Sequence, residues 1–316
     1  MSPRRPTAVL GLVALLITSP AAVAAPTHDG TRLGDVRVLA HFDRAAGQAA
    51  ESIALEPGGS VVVGMIPARQ VVRVARNGTV HVLVTMPLPP GGGGTTPVVG
   101  TPVVTGVARA GDGLYFLYSS GRGGLTGIWE VLRSGGPRLV VPLPADTFPN
   151  ALVVDGDRFL VTDSTGGRIW QAPLRGGRAS VWSADPALAP SGFFGANGLK
   201  VHDGAVWASN SDRGTLVRIP ETRGGRSGPA EVRATGLEGV DDFDFTGRGD
   251  EVLAAVNQSS ELVRVAADGT HETLLDAADG MQGTTAVVVR GSRAYVTNGA
   301  NLTGDDPTLM VAELRR

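Results

Sequence analysis

The sequence predicts an all-β chain, a six-bladed β-propeller with four-stranded blades, closed by an N-terminal strand that completes the last blade. Three observations carry this prediction. One motif recurs six times: a polar residue, an apolar run, a Gly-containing turn, a second apolar run, a polar turn and a third apolar run. The residues heading the copies are Glu51, Thr105, Asn150, Asn197, Asp241 and Thr284, at steps of 54, 45, 47, 44 and 43 residues, the period of propeller blades. The chain of 316 residues also holds 45 Gly and 21 Pro, many turns between short apolar runs.

The elements follow in order. Residues 1–24 read as a secretory signal peptide: basic "MSPRR", an apolar stretch broken by Pro20, then "AVA" as a small-residue cleavage site. Export through a cleaved signal, with no membrane association afterwards, is the expected localisation. Residues 25–34 read as a linker and 35–316 as the propeller. "DVRVLAHF" (Asp35 to Phe42) is a strand without a copy of its own. The copies then run "ESIALEPGGSVVVGMIPARQVVRV", "TGVARAGDGLYFLYSSGRGGLTGIWEV", "NALVVDGDRFLVTDSTGGRIW", "NGLKVHDGAVWASNSDRGTLVRI", "DDFDFTGRGDEVLAAVNQSSELVRV" and "TTAVVVRGSRAYVTNGANLTGDDPTLMVAEL". Fourth strands follow five of them: "VHVLVTMP", "RLVVPLP", "ASVWSADP", "AEVRATGL" and "HETLLDAA". The sixth copy ends without one, and Asp35–Phe42 supplies it, which removes an open sheet edge. The long first step contains a Gly/Pro-rich insertion at about residues 87–104, read as a loop.

Composition narrows the partners. A formal net charge of −2 lacks the basic face that nucleic acid demands. There is no Cys, so no disulfide supports the fold, and core burial or a metal must do so. The five His show no metal-ligand spacing, no G-x-S-x-G elbow occurs, and "GGGG" (Gly91 to Gly94) is not followed by G-K-[ST]. A small molecule at the channel mouth is the expected partner. Oligomeric state is left open.

The candidate site comes from the six heads. In a propeller the first strand of each blade lines the channel, so its heads converge at one mouth. All six are polar. Single Asn or Asp residues before strands are ordinary turn formers, but six in register point further. Glu51 and Asp241 bring two carboxylates together, which repel unless one is protonated or a cation lies between them. Carboxylate and amide oxygens suit Ca²⁺; Zn²⁺ and Mn²⁺ remain open, although no His heads a blade.

The residues "NGLKVHDGAVWASNSDRGTLVRIP", "TDSTGGRIW", "DDFDF" and "YVTNG" resemble the gluconolactonase/regucalcin-like six-bladed propellers, the senescence marker protein type, over nearly the whole mature chain. The resemblance implies metal ligands at Glu51, Asn197 and Asp241, a substrate-contacting Asn150, and Asp241 as general base. It departs at three points. "ESI" stands where the family writes Glu-Gly-Pro, Asp242 follows Asp241 where Gly is usual, and Phe148 stands where sugar-lactone enzymes carry Arg. The last points to a less polar substrate.

Two functional readings follow. One is a secreted metal-dependent hydrolase of a lactone or ester, with metal-activated water, Asp241 as base, and Asn150, Phe148, Thr105 and Thr284 contacting substrate. Phe193 and Phe194 extend its apolar wall, unless they serve blade packing. The other is a non-catalytic propeller that binds a ligand or partner around a structural cation. A strictosidine-synthase-like reading fails because Thr284, not Glu, heads blade six.

Overall fold

The computed structural model describes residues 30–91, 94–302 and 304–315. The signal peptide read at 1–24, and the linker as far as residue 29, lie outside them. Strand β1 spans Arg32–His41. Blade one follows as β2 (Gln48–Leu55), β3 (Val61–Pro67), β4 (Gln70–Val74) and β5 (Val80–Thr85). Blade two is β6 (Val103–Ala110), β7 (Gly113–Ser119), β8 (Gly127–Val131) and β9 (Pro137–Pro142). Blade three is β10 (Pro149–Asp155), β11 (Arg158–Asp163), β12 (Arg168–Pro173) and β13 (Ser180–Ser183). Blade four is β14 (Ala196–His202), β15 (Ala205–Asn210), β16 (Thr215–Pro220) and β17 (Glu231–Ala234). Blade five is β18 (Val240–Phe245), β19 (Val252–Val256), β20 (Glu261–Val265) and β21 (His271–Leu275). Blade six is β22 (Thr284–Arg290), β23 (Arg293–Asn298) and β24 (Thr308–Arg315), with β1 paired to β24 as its fourth strand.

The six-bladed architecture and the closure match the sequence reading. One boundary differs. The closing strand begins at Arg32, inside the segment read as linker, because Arg32, Leu33 and Gly34 pair with Arg315, Leu314 and Glu313. Just before it, the Thr31 hydroxyl donates to the buried Glu251 carboxylate.

Tight turns let each copy fold locally. Asp203 (φ 45°) and Gly204 (φ 67°) both take positive φ, as a two-residue type I′ hairpin requires, and that turn matches the strand twist. The core is divided into six clusters. Each spans one blade–blade interface, such as Val62, Val71 and Met86 of blade one and the segment after it against Val104, Phe116 and Tyr118 of blade two. A blade is therefore buried on both faces only when its neighbours are present, and the strands read as apolar runs rather than alternating ones. Among the described residues no helix is long and apolar enough to cross a membrane.

All six innermost strand pairs carry a register shift, at the head residue in blades one to five and at Thr285, just after the head Thr284, in blade six. Such a bulge turns two consecutive residues toward the same side. It is the feature that positions the site.

Candidate functional site at the channel mouth

Glu51, Asn150, Asn197 and Asp241 line one cavity of about 40 Å³, together with Ser52, Gly106, Ala151, Gly198, Lys200 and Asp242. That volume suits an ion or a few waters. The predicted heads of blades one, three, four and five therefore converge. The bulge explains why Ser52, Ala151, Gly198 and Asp242, each the residue after a head, join them.

Serines orient the two amides. Asn150 Nδ2 donates to Ser164 Oγ (3.1 Å), which donates to Ala196 O (2.8 Å). Asn197 Nδ2 donates to Ser211 Oγ (2.9 Å), which donates to Val240 O (2.7 Å). Blades three and four repeat the same device, with the serine fourteen residues after the Asn. Tying the nitrogens leaves the amide oxygens as the groups available to a ligand. A second set of hydroxyls fills the bulges. Ala151 N–H donates to Thr162 Oγ1 (2.9 Å) and Gly198 N–H to Ser209 Oγ (2.7 Å). Those hydroxyls in turn donate to the head carbonyls of the next blade, Asn197 O and Asp241 O, both at 2.5 Å. Sequence reasoning missed all four hydroxyls. Their signal was the "TDS" and "SNS" that end the second strands of blades three and four.

Removal from water, then the neighbouring Asp242 charge, pushes the Glu51 carboxyl up from 4.5 to about 7. Desolvation, then Glu51 and Asp242, raise Asp241 well above the carboxylate range, against a hydrogen bond from Asn197 that lowers it. Asp242 is raised by burial and held back by Lys200, whose Nζ lies 2.5 Å from Asp242 Oδ1. Lys200, the only Lys in the chain, thus pairs with Asp242, and among the described residues Glu51 and Asp241 have no ion-pair partner. Two carboxylates and two oriented amide oxygens form a hard, oxygen-only donor set. A donor set of this chemistry could hold a hard divalent cation such as Ca²⁺.

The other predicted residues lie elsewhere. Thr105 is buried and donates to Pro149 O (2.8 Å). Thr284 is fully buried and donates to Asn298 Oδ1 (3.2 Å). Neither lines the cavity, so these heads tie strands together. Phe148 is only 3% exposed and packs on Phe194, ring centroids 4.8 Å apart. Asp242 and Lys200 line the cavity and were not predicted as site residues.

A second group of possible ligands lies at the opposite end of β14. His202 Nε2 is 3.4 Å from both Asp203 Oδ2 and Asp250 Oδ1. The three ligand atoms lie within 4.8 Å of one another, so the group could hold a metal ion. Spacing along the chain hid it, because Asp250 comes from the next blade.

No family model and no curated protein matches the sequence. Solved structures do. A gluconolactonase of Xanthomonas campestris superposes with a TM-score of 0.65 over 90% of this chain and 91% of its own, at 17% identity. Regucalcin of Agrobacterium tumefaciens, a calcium-binding protein, gives 0.65 over 89% and 94%, at 18% identity. Streptogramin B lyase gives 0.58 over 83% and 78%, at 13% identity. The chain shares the propeller fold of the gluconolactonases and regucalcin. At these identities the likeness is one of fold, and the chemistry rests on this chain's own residues.

Proposed function

We propose that the channel mouth is the active site of an exported hydrolase that cleaves a lactone or other carboxylic ester with the help of a divalent cation. The observation that carries this reading is the convergence of Glu51, Asn150, Asn197 and Asp241 on one cavity, with two of its carboxylates lacking a cationic partner. Glu51, Asn197 and Asp241 hold the cation. When bound, it supplies Lewis-acid polarisation of the ester carbonyl. Asp241, ionised beside the cation, accepts the proton of the attacking water. Asn150, fixed by Ser164, orients the substrate in the cavity. Lys200 neutralises Asp242 and keeps that second carboxylate from competing for the proton. The propeller fold shared with a gluconolactonase supports a lactone or ester as the substrate class.

The test is elemental analysis of the mature protein, then a panel of lactones and esters with and without chelator. One divalent cation per chain is expected, with hydrolysis lost on chelation and restored by the metal. Asp241→Ala should lower kcat/KM by at least a hundredfold, the order of a general-base contribution. Full activity in metal-stripped protein, or unchanged turnover in Asp241→Ala, would overturn the mechanism. Bound metal without hydrolysis of any ester would leave a ligand-binding propeller with a structural cation.

A further inference from the structure

Between the 3-10 turn Pro186–Leu188 and β14 runs the segment "SGFF", Ser191 to Phe194. A single carboxylate organises it. Asp212 Oδ2 accepts the N–H groups of Ser191 (2.8 Å), Gly192 (2.7 Å) and Phe193 (2.8 Å), and Oδ1 accepts that of Phe194 (3.2 Å). The backbone adds Asp212 N–H to Phe194 O (2.9 Å) and Ser211 N–H to Gly195 O (3.1 Å). Ser211 is also the residue that fixes Asn197. The segment and the site are therefore anchored by the same two adjacent residues.

What this anchor displays is apolar. Phe194 stacks on the buried Phe148, and Phe193 on Phe194 with centroids 4.3 Å apart. Phe193 is left 56% exposed. Fully burying such a ring would stabilise the fold by about 1.5–3 kcal/mol, yet four hydrogen bonds to a charged acceptor hold it outward. It is not alone. Among the described residues, every exposed large hydrophobic in a loop belongs to a segment at the mouth end. These are Leu88, Val98 and Val99 between β5 and β6, Phe193, and Leu302 between β23 and β24. The remaining ones are valines on strands. An exposed aromatic held outward beside a polar cavity's segments is a feature of binding surfaces.

The cavity sets the size of what enters. About 40 Å³ leaves little room for an acyl chain, so a long one extends past the cavity, towards the segment that Ser211 ties to Asn197. We propose that Phe193 and Phe194 form an apolar subsite for the alkyl or acyl chain of a neutral, medium-chain ester or alkyl lactone, with Asp212 as a positioning residue that holds it. The substrate identity rests on the hydrolase reading above; the subsite does not.

The experiment measures kcat/KM for p-nitrophenyl esters from acetyl to decanoyl on wild type, Phe193→Ala and Asp212→Ala. In parallel, the fluorescence of a neutral dansylated decyl amide reports binding without turnover. In wild type, kcat/KM should climb with chain length. Phe193→Ala should lower it about tenfold more for the decanoyl than for the acetyl ester and weaken probe binding to match. Asp212→Ala should raise KM for long chains more than it lowers kcat. Phe193 is exposed, so its variant keeps the test decisive even if Asp212→Ala misfolds. Probe binding that Phe193→Ala weakens, with no ester cleaved by any form, would uphold the subsite and sink the hydrolase. Cleavage that ignores chain length, with the probe bound equally by wild type and Phe193→Ala or by neither, would sink the subsite and leave the hydrolase standing.

Discussion

Glu51 and Asp241 make the cation-free channel pH-sensitive. A carboxyl whose folded pKa is raised holds its proton more tightly in the folded than in the unfolded chain. Its contribution to stability is full below the unfolded value of 4.5 and is lost as pH rises through about 7. For Glu51 that shift corresponds to a few kcal/mol, on the order of 3, and Asp241 acts in the same direction. In chelator, the melting temperature should therefore fall between pH 4.5 and 7. Saturating Ca²⁺ should flatten the curve, because the cation stabilises the ionised folded form by mass action. Glu51→Gln should flatten it partly without metal, since the neutral amide has no proton to lose. Differential scanning calorimetry against pH checks this, and a metal-free wild type that gains stability over that range would refute it. The two amides were legible in the sequence as heads of a repeat. The serines that aim them were not, because they lie fourteen residues away and only the folded hairpin brings them back.

The bulged first strand decides which residues face the cavity. Because it presents two consecutive positions, the residue after each head needs a side chain that fits between blades. At Gly198, a Cβ would meet Asp241 O, Asp242 Cα and Asp242 Oδ1, all at 2.7 Å. Two of these are backbone atoms that cannot swing away. Gly198→Ala should therefore displace β18 at its ligand, lowering stability by about 1–3 kcal/mol and weakening Ca²⁺ binding more than stability alone explains. Gly58→Ala, where a Cβ meets nothing within 4 Å, is the matched control and should leave calcium titration unchanged. Equal calorimetric and binding profiles for the two variants would contradict the bulge argument. The bulge also shows why Asp242 was not assigned a role from sequence. Period-2 alternation places the residue after a head on the opposite face, whereas the register shift between Val240 and Phe243 brings it to the same cavity as Asp241. The repeat spacing revealed the blades because each hairpin is local. The cavity's second layer depends on register, which the pattern of apolar runs does not encode.

For the whole ring, stability comes from closure. Each apolar cluster spans two blades, so a gap in one blade leaves two neighbours uncovered. The closing strand β1 contributes Ala40, and the residue just after it is Phe42; both belong to the cluster shared by blades six and one. The sequence showed this closure plainly, as one spare strand at the start and one missing at the end. It placed the spare strand three residues late, because the pairing of Arg32, Leu33 and Gly34 with the end of β24 shows only in the folded ring. Arg32 pairs with Arg315 across an antiparallel ladder, so the C-terminal end of β24 lies beside the N-terminal end of β1. A short Gly-rich turn can therefore join Arg315 to Gly30 and make blade six one continuous meander. New ends opened between Gly91 and Gly94, in the inter-blade insertion, then leave every blade whole. This permutant, lacking residues 1–29, should melt within about 5 °C of the unpermuted chain lacking the same residues and bind Ca²⁺ equally, since it preserves every strand pair. Removing residues 1–41 without permutation should do the opposite. It bares the β24 edge and uncovers the cluster beneath Phe42, giving a chain that aggregates or melts without a cooperative transition. Calorimetry and size-exclusion elution separate the two outcomes. A truncated chain as stable as the permutant would mean that the ring holds itself through its blade faces alone.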